Sequence, residues 1–486
     1  MKFLRNPWIQ LSALIAFLSG IGINAFRHKY CVRDLDIWWH LKVGDWIIEN
    51  LAVPHTGILS RTAEGRPWVA YSWGYEVLLS RSYAWFGLVG IGTFGTILTI
   101  GVAFFVYWML RRLSGRFWMS CILAGIVCAA FLFNGMPRPV FFSEMLYCIT
   151  LALLLEAQRT GREKILYWLP PLFLLWANLH IQFIYGLFVV GLFVAVYLAQ
   201  ELSMSLGFRP GYLLQPTLKV KSLLVIFSLC ALATFFGPNF YHPYLAVLAY
   251  SKAKFTYNII MELQPLSFRG FSNFTELLLA AAAFYAVGWQ KKLDVFKLLL
   301  LIVASVLAFR TMRDGWFICF SAAACIADNP APEASRDRQE SWRELAIAAA
   351  ALLVILPSAA PAVNFTTRGL DQAISVEYPV NAVNFLRRRP FTGPLYNNLS
   401  WGGFLMWYLP ELPVAIDGRN DLYGDELDRV FYESESGFPG YKTDPYLDQA
   451  GVVVLDSTLP LAKLLTIDSR FKLVYHDEIA TVFTRP

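Results

Sequence analysis

Arg33-Asp34-Leu35-Asp36-Ile37-Trp38-Trp39-His40-Leu41-Lys42-Val43-Gly44 sets two carboxylates two residues apart, just before paired tryptophans and a histidine. The stretch follows the first long apolar run of a chain that is mostly apolar thereafter. A loop at a membrane surface gains no stability from acids beside tryptophans. The stretch is therefore a candidate chemical centre, and the rest of the chain is judged by what it brings to it.

The 486 residues are 57% hydrophobic and only 16% charged, with a mean hydropathy of +0.48. A soluble domain carries about 25% charged residues. The composition is that of a polytopic membrane protein, and its 16 Trp, 23 Tyr and 38 Phe suit many interfacial positions. The net charge of +6 is modest and fits cytoplasmic loops, not a nucleic-acid partner. Of the seven cysteines, all but Cys31 fall in apolar runs and read as small buried hydrophobes. No disulfide framework or C-x-x-C pattern is present. The first apolar run, 7–26, is too long for a signal-peptide core and reads as a retained anchor.

A bilayer-crossing helix needs about 20 apolar residues. Eleven spans are expected: 7–26, 88–110, 117–134, 141–157, 165–179, 182–200, 222–237, 272–289, 293–309, 315–328 and 344–363. Short basic connections at 111–116, 159–164, 219–221, 291–292 and 336–343 alternate in register, which places them and the N-terminus in the cytoplasm. This predicts a transmembrane domain, 1–363, with long outer loops at 27–87 and 238–271. An extracytoplasmic α/β domain, 364–486, follows. In that domain 393–396, 414–416 and 452–455 read as buried strands, 380–388 and 425–433 as helices, and 471–475 with 479–484 as a terminal hairpin. This topology puts the C-terminal domain on the side of the membrane opposite the cytoplasm.

In the first loop, Asp34, Asp36 and His40 fit one short interfacial helix, with Asp36 and His40 on one face and Trp38 and Trp39 anchoring it among headgroups. A carboxylate held there can act as general base or ligate a divalent cation such as Mg2+ or Mn2+. The plainer reading is a helix cap beside a solvated acidic turn. Asn178 and His180 end an apolar run after Pro170-Pro171, where polar groups either face a cavity or form a loop between two short helices. Arg310 and Arg313 suit a phosphate clamp, or else snorkel to the interface. Arg138, with Glu144 nearby, lies at another outward end; Glu262 is a weaker candidate. In the tail, Trp401-Gly402-Gly403 permits a close backbone approach. Asp417, Arg419 and Asp421 either face the membrane-side cavity or form a salt-bridged turn.

Together these motifs resemble the GT-C superfamily of integral-membrane glycosyltransferases. The resemblance rests on Asp34 through Gly44 with Val53-Pro54-His55 and Arg66-Pro67-Trp68, on Trp176-Ala177-Asn178-Leu179-His180, and on Trp401-Gly402-Gly403 with Asp417-Gly418-Arg419-Asn420-Asp421. It implies a polyprenyl-phosphate-linked sugar donor and a glycan, lipid or protein acceptor. It also implies an outer domain that helps bind acceptor, and a catalytic acid in the first outer loop, at Asp36 or Asp34. His40, His55 and Trp401 would then join the substrate-binding residues. The tryptophan-glycine stretch is similar in placement to the tryptophan-rich signature of oligosaccharyltransferase catalytic subunits but lacks its Asp, so recognition of a protein sequon is not implied. The rival readings are a non-catalytic scaffold of a glycan-assembly system and a transporter of lipid-linked sugars. A transporter needs charged groups in mid-span, and the expected spans are nearly free of them.

Overall fold

The computed structural model describes residues 3–131, 136, 138–208, 210–328, 337–389 and 391–486. The end of the expected span 117–134 and most of the linker before the last span lie outside them. The chain forms two compact units, one of 1–28, 95–240 and 261–364, the other of 29–94, 241–260 and 365–486. The division differs from a cut at 363/364 alone. Most of each long loop, expected to belong to the membrane domain, is part of the unit that contains the tail.

The first unit is helical. Six helices among the described residues are long and apolar enough to cross a membrane: Pro7–Arg33, Trp73–Ser114, Val140–Thr160, Phe183–Ser205, Phe271–Gly288 and Trp342–Ala359. The eleven expected spans are not all of spanning length. The span expected at 165–179 is a 3-10 turn, Glu163–Trp168, followed by Leu169–Leu179, because Pro170-Pro171 can occupy only a first helical turn. The one expected at 315–328 is Gly315–Ala327, 13 residues and almost wholly buried. At 1.5 Å per residue it rises roughly 20 Å, short of the hydrocarbon thickness. Surrounded by Phe271–Gly288, Val295–Arg310, Phe117–Phe131 and Val140–Thr160, it serves as the core of the unit and has little lipid to face.

The second unit holds a four-stranded sheet in the order β1-β2-β4-β3, with β1 Leu395–Asn397, β2 Val452–Asp456, β3 Lys472–His476 and β4 Ala480–Thr484. β1 and β2 run parallel, and β4 pairs antiparallel with β2 and β3. The expected hairpin and two of the three expected strands are present. Val414 to Ile416 is not a strand. Its Val414 makes a lone bridge to Ser60, and its backbone is read by side chains: Asn397 Oδ1 accepts from Ala415 N at 2.8 Å, and Asn397 Nδ2 donates to Ile416 O at 2.8 Å.

The first loop is built into this unit. Thr56 and Pro67 form an isolated antiparallel bridge, and Arg61 N donates to Val414 O at 2.9 Å. Trp38 is fully buried, edge-on to Tyr378, Phe404 and Tyr408. Trp39 is buried as well. The expectation that these two tryptophans sit among headgroups is therefore corrected: they are core residues, since large aromatic surfaces gain most when fully removed from water. Cys31, the one cysteine read as lying outside an apolar setting, is likewise buried.

Candidate active site

The candidate residues divide between the two units. Asp34, Asp36, His40, His55, Trp401, Asp417, Arg419 and Asp421 belong to the unit with the sheet, and Arg138, Asn178, His180, Arg310 and Arg313 to the helical one.

Asp34 and Asp36 do not lie on a helix, as expected; they straddle the gap between two. Asp34 ends the short helix Tyr30–Arg33, and Asp36 precedes Ile37–Asn50. The Asp34 carboxylate, buried, accepts the backbone N–H of Asp36 at 3.1 Å, an Asx turn that fixes the start of the second helix. Asp36 occupies the N-cap position but its side chain caps nothing. Its Oδ1 accepts the Trp39 indole N–H at 3.0 Å, and the residue stays partly exposed. The two acids thus differ: Asp34 shapes the turn, and Asp36 presents a partly exposed carboxylate that accepts the Trp39 indole N–H.

The tail packs around that carboxylate. A β-carbon on Gly418 would lie 2.1 Å from Asp36 Oδ1, and one on Gly402 would lie 2.0 Å from Ile416 O. The expected close approach at the tryptophan-glycine stretch is therefore real, made by the helix Gly402–Tyr408, which packs on Ile37–Asn50. Trp401 itself is buried, and His55 is exposed, its carbonyl accepting from Trp68 N at 2.9 Å.

The Asp417, Arg419 and Asp421 set splits between the two roles open to it. Arg419 and Asp417 are both fully buried and paired in a fork, Nε to Oδ1 at 2.8 Å and Nη2 to Oδ2 at 2.7 Å. Tyr423 Oη donates to the same Oδ2 at 2.6 Å, and Arg419 Nη2 also reaches Ile58 O at 3.0 Å. Arg419 lies over the Trp68 ring, 4.9 Å from its centroid. This is the salt-bridged turn. Asp421 is instead exposed, though hemmed in by protein, and Trp68 Nε1 donates to its Oδ2 at 3.2 Å. The low polarity around it pushes its carboxyl up to about 6, with Arg419 opposing the rise and Asp417 adding to it. Asp36 and Asp421 are thus two solvent-reachable acids, each held by an indole N–H.

Behind them lies a residue not anticipated from the sequence. Glu76, buried, sits 3.2 Å from His40 Nδ1 through Oε1. Its signal, Trp73-Gly74-Tyr75-Glu76, is an acid among aromatics just before an apolar run.

In the helical unit, Glu262 bridges Arg138, at 3.3 Å, and Arg313. Burial would raise the Glu262 carboxyl, but Arg313 and Arg138 hold it below the usual range. The two guanidinium groups share this one carboxylate. Arg310 is exposed at the end of Val295–Arg310. His180 is buried, its Nδ1 2.8 Å from Ser143 Oγ, which also accepts from Trp176 Nε1 at 2.7 Å. Asn178 donates to Leu174 O and Phe236 O at 2.8 and 2.9 Å, tying its helix end to the turn before Gly237.

Ligation of Mg2+ or Mn2+ by Asp34 and Asp36 needs further donors. Among the described residues no three His, Cys, Asp or Glu side chains group closely enough to hold an ion. One oxygen of each acid already accepts an N–H.

No protein-family profile and no curated protein matches the sequence. Among solved structures, the chain is similar to the oligosaccharyltransferase of Archaeoglobus fulgidus tethered with an acceptor peptide containing the NVT sequon. The TM-score is 0.52 at 11% identity, covering 100% of this chain and 75% of that one. It also aligns with ArnT of Cupriavidus metallidurans bound to undecaprenyl phosphate, with a TM-score of 0.44 at 13% identity, covering 96% of this chain and 97% of that one.

Proposed function

We propose, from the likeness of its fold to that of the Archaeoglobus fulgidus oligosaccharyltransferase, that the chain is a GT-C-type glycosyltransferase that moves a sugar from a polyprenyl-phosphate-linked donor to an acceptor at the outer face of a bacterial inner membrane. The N-terminus is cytoplasmic and the sheet-bearing unit extracytoplasmic, the orientation the basic connections favour. The reaction is an inverting displacement. An acceptor hydroxyl or amine attacks the anomeric carbon, the bond from that carbon to the phosphate oxygen breaks, and the phosphate leaves on its lipid. The acceptor's proton passes to a carboxylate.

The observation that carries this reading is the state of Asp36. It is a partly exposed carboxylate whose one oxygen is fixed by the Trp39 indole, on a floor of buried aromatic rings. That is how a general base is presented: reachable, oriented and free of a capping duty. Asp421, exposed and with its carboxyl raised toward neutrality, is the second acid in place of the buried Asp34. The cation cluster of Arg138 and Arg313, with Arg310, supplies charge for the donor phosphate. His40, His55, Asn178, His180 and Trp401 are the remaining substrate-side candidates.

The test is Asp36→Asn in the full-length protein, with cell-surface glycans and membrane lipids profiled by mass spectrometry in wild-type, deleted and variant strains. A glycan product lost on deletion and not restored by the folded variant supports transfer by Asp36. A product fully restored by the variant leaves the protein a scaffold.

A further inference from the structure

His40 follows Trp39 directly on the helix Ile37–Asn50. Consecutive helical residues point roughly 100° apart and do not face each other. Yet the two rings stack, with centroids 3.5 Å apart and planes at 30°. A side chain drawn so far round the helix must be held from outside it. Two groups from the first turn of Trp73–Ser114 hold it there: Glu76 Oε1 lies 3.2 Å from His40 Nδ1, and the Tyr75 ring stands edge-on at 5.1 Å.

The two helices can come this close because of Gly44, one turn beyond His40. A β-carbon there would lie 2.1 Å from Glu76 O and 2.9 Å from Ser80 Cβ. Asp45 accepts from Ser80 Oγ at 2.6 Å and pins the same crossing. Position 76 is thus fixed against the helix that carries His40.

Stability alone does not account for a glutamate here. The residue is 1% exposed, and its Oε2 has no hydrogen-bond partner among the described residues. A half-satisfied buried carboxyl is costly, and an apolar side chain of similar size would avoid that cost. The carboxyl is worth keeping for what Oε1 orients.

We infer that Glu76 is a positioning residue of the acid site: it locks the His40 ring against the Trp39 indole, and the indole N–H in turn fixes the Asp36 carboxylate. The role of Asp36 as the acid rests on the glycosyl-transfer reading; the lock does not.

The two are tested separately on the full-length protein in nanodiscs. With only six histidines, 15N-histidine labelling gives a readable spectrum, and His40→Gln identifies the signal of interest. In the wild type, His40 shows one fixed tautomer. In Glu76→Leu the two ring nitrogens average, without a fall in melting temperature. In Glu76→Gln the single tautomer survives, but the Nδ1 resonance moves because an amide replaces the carboxyl. An averaged wild-type ring, or a His40 spectrum unchanged in Glu76→Gln, overturns the lock. Where a transfer product is found, Glu76→Leu lowers turnover by about 10²-fold with KM unchanged, the scale set by a misplacement near 1 Å, and Glu76→Gln recovers most of it. Unchanged turnover in Glu76→Leu removes the link to Asp36. A wild-type protein without transfer removes the glycosyltransferase reading and leaves the lock to the spectra.

Discussion

Asp36 and Gly418 share one space: the position a β-carbon would take on Gly418 is 2.1 Å from Asp36 Oδ1 and 3.3 Å from the Trp39 indole nitrogen. The glycine in Asp417-Gly418-Arg419 is there because the carboxylate of a distant loop needs the room. Gly418→Ala forces that carboxylate off the indole. The expected result is a loss of transfer near 10²-fold at a stability cost of about 1–3 kcal/mol. Glycan profiling beside a thermal melt checks both, and an alanine variant with full transfer refutes the geometry.

The Asp417–Arg419 fork is fully buried, so removing one partner strands the other charge. Asp417→Ala should destabilise the sheet-bearing unit by about 3–5 kcal/mol. Replacing both residues by apolar side chains of similar volume should cost less than either single change, a non-additivity that a double-mutant cycle of melts reads directly.

Asp428 makes stability depend on pH. Burial pushes its carboxyl up to about 7, opposed by Thr256 and reinforced by Asp425, Asp421 and Asp417. The folded protein therefore keeps a proton that the unfolded chain has released. The stability owed to this group falls as pH rises from about 4 to about 7, by roughly 4 kcal/mol at most. Asp428→Asn should melt higher than wild type at pH 8 and close to it at pH 4. Equal gains at both values would show that the carboxyl does not titrate there.

Ser143 serves both the Trp176 indole and His180. Ser143→Ala leaves the buried indole N–H without that acceptor and should cost about 1–3 kcal/mol. A melt unchanged from wild type would mean another acceptor takes over.

The candidate residues stand out in the sequence because acids, glycines and tryptophans in apolar surroundings are informative one at a time. The hairpin and two strands of the tail were legible from runs such as Val452-Val453-Val454-Leu455. What could not be read were the partners. Nothing in the periodicity of residues 33–44 says that Trp38 packs on Tyr378, Phe404 and Tyr408, so an interfacial anchor was the natural reading of a core residue. Val414-Ala415-Ile416 is as apolar as a strand, but its hydrogen bonds go to Asn397 and the first loop. Glu76 does not stand out in the sequence, because it opens a helix whose apolar part begins only later. A helix such as Gly315–Ala327 looks like a span in the sequence, since an apolar run does not reveal whether lipid or protein surrounds it.

The union of the first loop with the tail also sets a clock on biogenesis. Arg33 and its partner Glu377 are 344 residues apart. At about 5–20 residues per second, a ribosome needs roughly 20–70 s to deliver the second after the first. Throughout that interval Trp38 lacks the rings of Tyr378, Phe404 and Tyr408 that will cover it, and Asp36 lacks the turn of Gly418. The first loop therefore spends that interval without the tail contacts it has in the folded chain.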